Sequence, residues 1–392
     1  MAANEARSET RRKASRYVVP VAVAGVAAAT IGLVPALAAS GDPDLPEITA
    51  QQLIEKIAAS DTQTLSGTFK VSTDLGLPSL GGLAGLGGGS GSGSADPAEK
   101  LTELVSGTHT LRVAADGPDR QRLTLLDGSD EYSLIHNGDD VWAYDSKSNE
   151  VFHEKGESGA PEAGKELPGT PKELADEVLK AAGDTTSITV GGTAKVAGRD
   201  AYQLVIKPKQ AGSTVESVKI AVDAANGTPL KFTLSSVQGG KPVVDAGFTK
   251  VDFAKPAASE FTFEAPKGAK VTEGAAEEGA DADRPGELPE GLKGLEGAFP
   301  GLDGKDGGVN VIGEGWTTIA KLDTGAPAPG TDEAPKEIQG FLDSLGDEVT
   351  GKFGSGTVFK TKLVNALLTD DGKVYVGAVT KDALVDAANA GK

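Results

Sequence analysis

His109, His136 and His153 are the only histidines of the 392-residue chain, and their spacing matches no metal-ligand pattern. Each falls in a run of alternating apolar residues, where a strand would carry it. Cysteine is absent, which excludes disulfides, thiolate metal sites and thiol catalysis, and also the acylated cysteine of a bacterial lipoprotein. No Gly-x-Ser-x-Gly elbow occurs, nor a Ser, His and Asp set in recognisable context. The 57 acidic side chains concentrate in linkers and turns, where carboxylates are ordinarily solvated. Asp370-Asp371-Gly372 lacks the alternating ligands and terminal Glu of a calcium loop and predicts a hairpin turn. The glycine-rich run at 81–94 lacks the Lys-Ser/Thr pair of a phosphate loop and predicts a flexible insert. These residues offer no enzyme, cofactor or metal centre. The remaining chemistry is the presentation of apolar surface.

That surface depends on strands. From Leu101 the pattern has period two: Leu111 and Val113, Leu123 and Leu125, Tyr132 and Leu134, and Trp142 and Tyr144 alternate with polar residues. Turn signals at 116–119, 127–129 and 137–140 separate them, as in consecutive antiparallel hairpins. Further strands are predicted over 64–78, 187–192, 201–208, 215–223, 229–236 and 246–253. One face of these carries Tyr202, Leu204, Ile206, Ile220 and Phe232, and a phase slip between Phe248 and Val251 predicts a β-bulge. Trp142 and Tyr144 are expected on the sheet's apolar side. A helix over 49–60 follows from Leu53, Ile54 and Ile57 behind Thr49 as N-cap, and a second helix is expected over 171–182. Alternation of this kind usually marks the core beneath a helix.

The stretch from Tyr17 to Ala39 is uncharged, follows Arg11, Arg12, Lys13 and Arg16, and ends in the small-residue pattern Ala36-Leu37-Ala38. Residues 1–39 are therefore expected to be a cleaved signal peptide or a retained membrane anchor, with the rest outside the cytoplasm. Residues 41–48 then form a short polar linker. Without residues 1–39 the chain keeps 33 basic and 55 acidic side chains, a charge of −22, which argues against a surface that binds nucleic acid or anionic lipid. Residues 273–307 are expected to be an acidic Gly/Pro-rich linker. Beyond it, a strand over 308–322, a helix over 336–346, a hairpin over 358–380 and a helix over 381–390 make a small C-terminal α+β unit spanning 308–392.

The order helix, meandering strands, helix and more strands resembles the LolA-like proteins: outer-membrane lipoprotein carriers, RseB-type proteins and mycobacterial lipid carriers. The matching segments are 137–155 (Trp-x-Tyr-Asp after an Asp turn), 196–208, 222–234 (Gly-x-Pro-Leu turn) and 248–271 (closing Phe-x-Phe strand and Pro-x-Gly). The insert at 81–94 and the C-terminal unit resemble the longer actinobacterial versions. The resemblance covers about 47–272 and implies an α+β fold. It would be a curved antiparallel sheet, an incomplete β-barrel, covered by helices around an apolar cavity. Leu123, Leu125, Tyr132, Leu134, Tyr202, Leu204, Ile206, Ile220 and Phe232 would line that cavity. It also implies an extracytoplasmic carrier of a lipid or acylated lipoprotein at the outer face of the cytoplasmic membrane. The alternative is an RseB-like sensor acting on a membrane protein through the C-terminal unit.

Overall fold

The computed structural model describes residues 42–76, 107–155, 179–180, 182–274, 310–323 and 346–391. The leader, the glycine-rich run, residues 171–178 and 181 of the second expected helix, the stretch 275–309 and the expected helix up to Leu345 lie outside the described residues. No described helix is long and apolar enough to cross a membrane.

Helix α1 (Ala50–Ala58) begins where a capping box closes. The Gln52 N–H donates to Thr49 Oγ1 at 3.1 Å, and the Thr49 N–H donates to Gln52 Oε1 at 2.9 Å. Two N–H groups that would otherwise be orphaned at the helix start are thereby satisfied.

Strands β1 (Thr64–Thr73), β2 (Gly107–Asp116), β3 (Arg120–Asp127), β4 (Asp130–Asn137), β5 (Asp140–Asp145) and β6 (Glu150–Lys155) form one half of a twelve-stranded sheet. The other half is β7 (Thr186–Val196), β8 (Arg199–Pro208), β9 (Val215–Asp223), β10 (Pro229–Ser236) and β11 (Val244–Asp252), and β11 pairs with β1. All these pairings are antiparallel; only β12 (Lys270–Gly274) runs parallel, on β6. The sheet stays open, with β12 and β7 as its edges. It is nevertheless curled, because β7 comes against β11 although three strands lie between them. The expected bulge is present: Thr68 pairs with Lys250 and Phe69 with Phe248, leaving Thr249 as the extra residue.

Three expectations are corrected here. Glu273 and Gly274, assigned to the linker, belong to β12. The closing Phe-x-Phe segment is no strand: Ala258–Phe261 is a 3-10 turn with Phe261 buried. The strand over 308–322 is two, β13 (Asn310–Ile312) and β14 (Ile319–Asp323), because Gly313 and Gly315 take positive φ between them.

β13 and β14 join β15 (Gly346–Gly351), β16 (Gly354–Phe359), β17 (Asn365–Thr369) and β18 (Lys373–Gly377) in a separate six-stranded sheet. Helix α2 (Lys381–Ala390) covers it, and Val358, Leu367, Tyr375, Leu384 and Ala388 form its own core. This unit docks at one end of the large sheet. The Thr214 N–H donates to the Ala378 carbonyl at 3.0 Å, that of Thr380 to Gly212 at 2.7 Å, and that of Lys362 to Leu75 at 2.8 Å. Trp316 Nε1 donates to Thr186 Oγ1 at 2.7 Å. Lys362 Nζ reaches Asp74 Oδ2 at 2.6 Å, and this hydrogen bond is the main reason the Asp74 carboxyl sits below the usual carboxylate range. Cleavage of the chain between 275 and 309 should therefore leave 310–392 bound to the large sheet. Co-elution of the two fragments on size exclusion checks this, and their separation would contradict it.

Candidate functional site

Strand register sorts the side chains of the first half-sheet into levels. Phe248, Phe69, Leu111, Leu125 and Tyr132 are consecutive partners across β11, β1, β2, β3 and β4. The first four are buried, and the two phenylalanine rings meet edge to face with centroids 4.7 Å apart. The next level on the same face runs Val251, Gly67, Val113, Leu123, Leu134, Ala143, Phe152. Gly67 has to be glycine: a Cβ there would collide with the Lys250 carbonyl oxygen. Val113, Leu123, Leu134 and Phe152 are only half-buried. Four strand spacings separate Val113 from Phe152, about 19 Å of apolar band running across the strands.

The tip of the β7–β8 hairpin packs into the same cluster through Ala194, Val196 and Ala197. Arg199 holds it there. Its guanidinium makes two hydrogen bonds to the buried Asp223 carboxylate and lies 4.7 Å from the centre of the Phe253 ring. Burial alone would raise the Asp223 carboxyl. The Arg199 guanidinium, with the N–H groups of Asn226 and Ala225, outweighs it and holds the group below the usual carboxylate range.

On the other half-sheet Leu204 pairs with Ile220 and Ile220 with Phe232, while Tyr202 pairs with Val222. Leu53 and Ile54 of α1 pack on Tyr202, Leu204 and Val222, with Ile206, Ile220 and Leu179 at the margin. Burying two such aliphatic side chains contributes about 1.5–3 kcal/mol each. Residues 43–48, expected as a polar linker, lie against this cluster instead: Leu45 and Ile48 join it, Tyr202 Oη donates to the Pro46 carbonyl at 3.0 Å, and Thr193 Oγ1 donates to that of Pro43 at 2.7 Å.

The nine residues expected to line one cavity thus fall into two groups, Leu123, Leu125, Tyr132 and Leu134 on β3 and β4, and Tyr202, Leu204, Ile206, Ile220 and Phe232 on β8 to β10. Leu125, Tyr202 and Leu204 are buried core; the other six keep partial exposure.

Trp142 and Tyr144 are not on this face. Trp142 pairs with Ile135 and His153, one residue out of phase with Leu134 and Ala143, and therefore points the opposite way. β5 carries apolar residues on both faces, so alternation alone could not choose between them. The Trp142 ring stacks on His153 with centroids 3.6 Å apart, and Phe263 packs against both Trp142 and Tyr144. Trp142→Ala should accordingly cost less than the ~3–5 kcal/mol of a fully buried aromatic. A loss of that size in chemical denaturation would restore a core role. His153 Nε2 lies 2.9 Å from Asp140 Oδ1 and Nδ1 lies 2.8 Å from Glu273 Oε2, which rivets β12 to β6. Among the described residues no group of three His, Asp or Glu is placed to hold a metal.

No protein-family model matches the chain, and no curated protein matches it. Solved structures that it is similar to include the MucA/MucB complex of Pseudomonas aeruginosa, at 16% identity over 86% of this chain and 96% of that one, with TM-score 0.36. An uncharacterized conserved protein from Thermus thermophilus has 13% identity over 57% of this chain and 98% of its own, with TM-score 0.31. A LolA superfamily protein from Nitrosomonas europaea has 11% identity over 55% and 99%, with TM-score 0.20. Likenesses at these scores carry no functional argument.

Proposed function

We propose that this is an extracytoplasmic protein that binds an acyl chain, of a lipid or an acylated protein, on the apolar face of its open sheet. The observation that carries this is the band of half-exposed Val113, Leu123, Leu134 and Phe152, with buried Ala143 between the last two, which crosses the strands beside a buried floor of Phe69, Leu111 and Leu125. An acyl chain laid along it would gain about 0.8 kcal/mol for each methylene removed from water. α1 and the Arg199-anchored hairpin tip bound the face on the far side. Binding and release need only partition, since no covalent step is required of any residue.

The docked segment 43–48 limits where this takes place. Three residues, Ser40 to Asp42, separate Ala39 from Pro43, a reach of about 10–14 Å at full extension. A retained leader would keep the sheet at the membrane surface, whereas a cleaved one would free it to shuttle. Mass spectrometry of an organic extract of the protein purified from its own host tests the proposal: a lipid or acyl species in stoichiometric amount is expected. An extract without lipid, from protein that instead co-purifies with a membrane protein, would favour a regulator working by protein contact.

A further inference from the structure

The opposite face of the sheet carries a pocket of different chemistry. Lys250, Thr68, Arg112 and Thr124 are register partners across β11, β1, β2 and β3, and Arg122 stands one level away. With Pro256, Ala257 and Glu260 beside them they line an open pocket of ≈ 460 Å³. Arg122 is half-buried and held in place by three donations: Nε to Thr124 Oγ1 at 3.3 Å, Nη1 to the Glu260 carbonyl at 3.3 Å, and Nη2 to Ser133 Oγ at 3.4 Å. The Thr124 and Ser133 hydroxyls are themselves hydrogen-bonded at 2.9 Å in a buried pair. Every one of these partners is a neutral oxygen, so the guanidinium is oriented without being neutralised. Arg112 and Lys250, on either side of Thr68, make no ion pair or hydrogen bond with a described side chain.

A chain with 57 acidic and 38 basic side chains has carboxylates to spare for pairing its cations. Three cations lining one pocket with no carboxylate bonded to them among the described residues fit an anion from outside, and a held guanidinium suits the oxygens of a phosphate. The pocket also contains Glu131, Asp252 and Glu260, which would repel a bare, highly charged anion but accept hydrogen bonds from hydroxyl groups. We propose that the pocket binds the phosphate ester of a small polyol, with the phosphate among Arg112, Arg122 and Lys250 and hydroxyls toward the carboxylates. Glycerol phosphate has this chemistry, both as a free ester and as the headgroup of a phospholipid. The site lies on the other side of the sheet from the apolar band and stands whether or not that band binds acyl chains.

Isothermal titration of the full chain with glycerol 3-phosphate, and separately with dihexanoyl phosphatidylglycerol below its micellar concentration, tests this. Saturable binding of at least one is expected, weakened at least tenfold in the Arg112→Ala/Lys250→Ala double variant. Both side chains are exposed and bonded to no other side chain among the described residues, so the circular dichroism spectrum should not change. Binding of the free ester alone would identify a soluble ligand, and binding of the lipid alone a headgroup. If neither ligand saturates the protein, or if the double variant binds as well as the parent, the site does not exist as proposed.

Discussion

Arg199→Ala should lower the unfolding free energy by an amount near or somewhat below the lower end of the ~3–5 kcal/mol typical of breaking a buried ion pair. Asp223 is the reason: its side chain is 1% exposed, and without the guanidinium it would be a buried carboxylate with only two backbone donors, Ala225 at 2.8 Å and Asn226 at 3.0 Å. The discount reflects Arg199 itself, which is 34% exposed and so partly solvated in the pair. The sign of the pH dependence follows from the lowered carboxyl. A depressed folded-state pKa contributes stability that is complete above the usual carboxylate value and is lost as pH falls through the folded one. In Arg199→Ala burial acts with less opposition, so the midpoint of acid unfolding should move to higher pH. Denaturant titrations across pH 2–7 check both effects, and a variant as stable as the parent throughout would mean that the hairpin tip is held by packing alone.

Leu53→Ala should destabilise the protein by about 2–5 kcal/mol, since Leu53 has no exposed surface and its removal opens a cavity above Tyr202, Leu204 and Val222. Thermal unfolding measures the loss. A change below about 1 kcal/mol would show that the sheet repacks without α1, and would demote the helix from structural cover to a loosely held flap.

Much of the fold was legible because hairpins announce themselves locally. The turns at 127–129 and 137–140 set the registers of β3 to β5, and α2 coincides with the expected 381–390. The bulge at Thr249 was visible as a slip in alternation. What escaped is what pairing over distance decides. The hairpin of β15 and β16 is glycine-rich and polar, with Val349, Phe353 and Val358 as its buried apolar residues, too sparse for a period-two signal. Residues 43–48 look like linker because their two anchoring hydrogen bonds come from Tyr202 and Thr193, about 150 residues away. Part of the candidate face was legible: register places Leu123, Leu125, Tyr132 and Leu134 on one side of the sheet, whereas Phe152, at the end of the same level, directly follows Val151 in a six-residue strand, so adjacent apolar residues hide the period-two signal. The pocket around Arg122 gave no sequence signal. Its cations come from three strands, of which β11 lies more than a hundred residues from β2 and β3.

The central claim is tested most directly by titrating the protein with a palmitate-length spin-labelled fatty acid while following methyl resonances by NMR. Saturable binding that broadens Val113, Leu123 and Leu134 first, while resonances around Trp142 on the opposite face stay sharp, is the predicted result. No saturation, or broadening centred on the Trp142 face, would contradict an acyl site on this sheet.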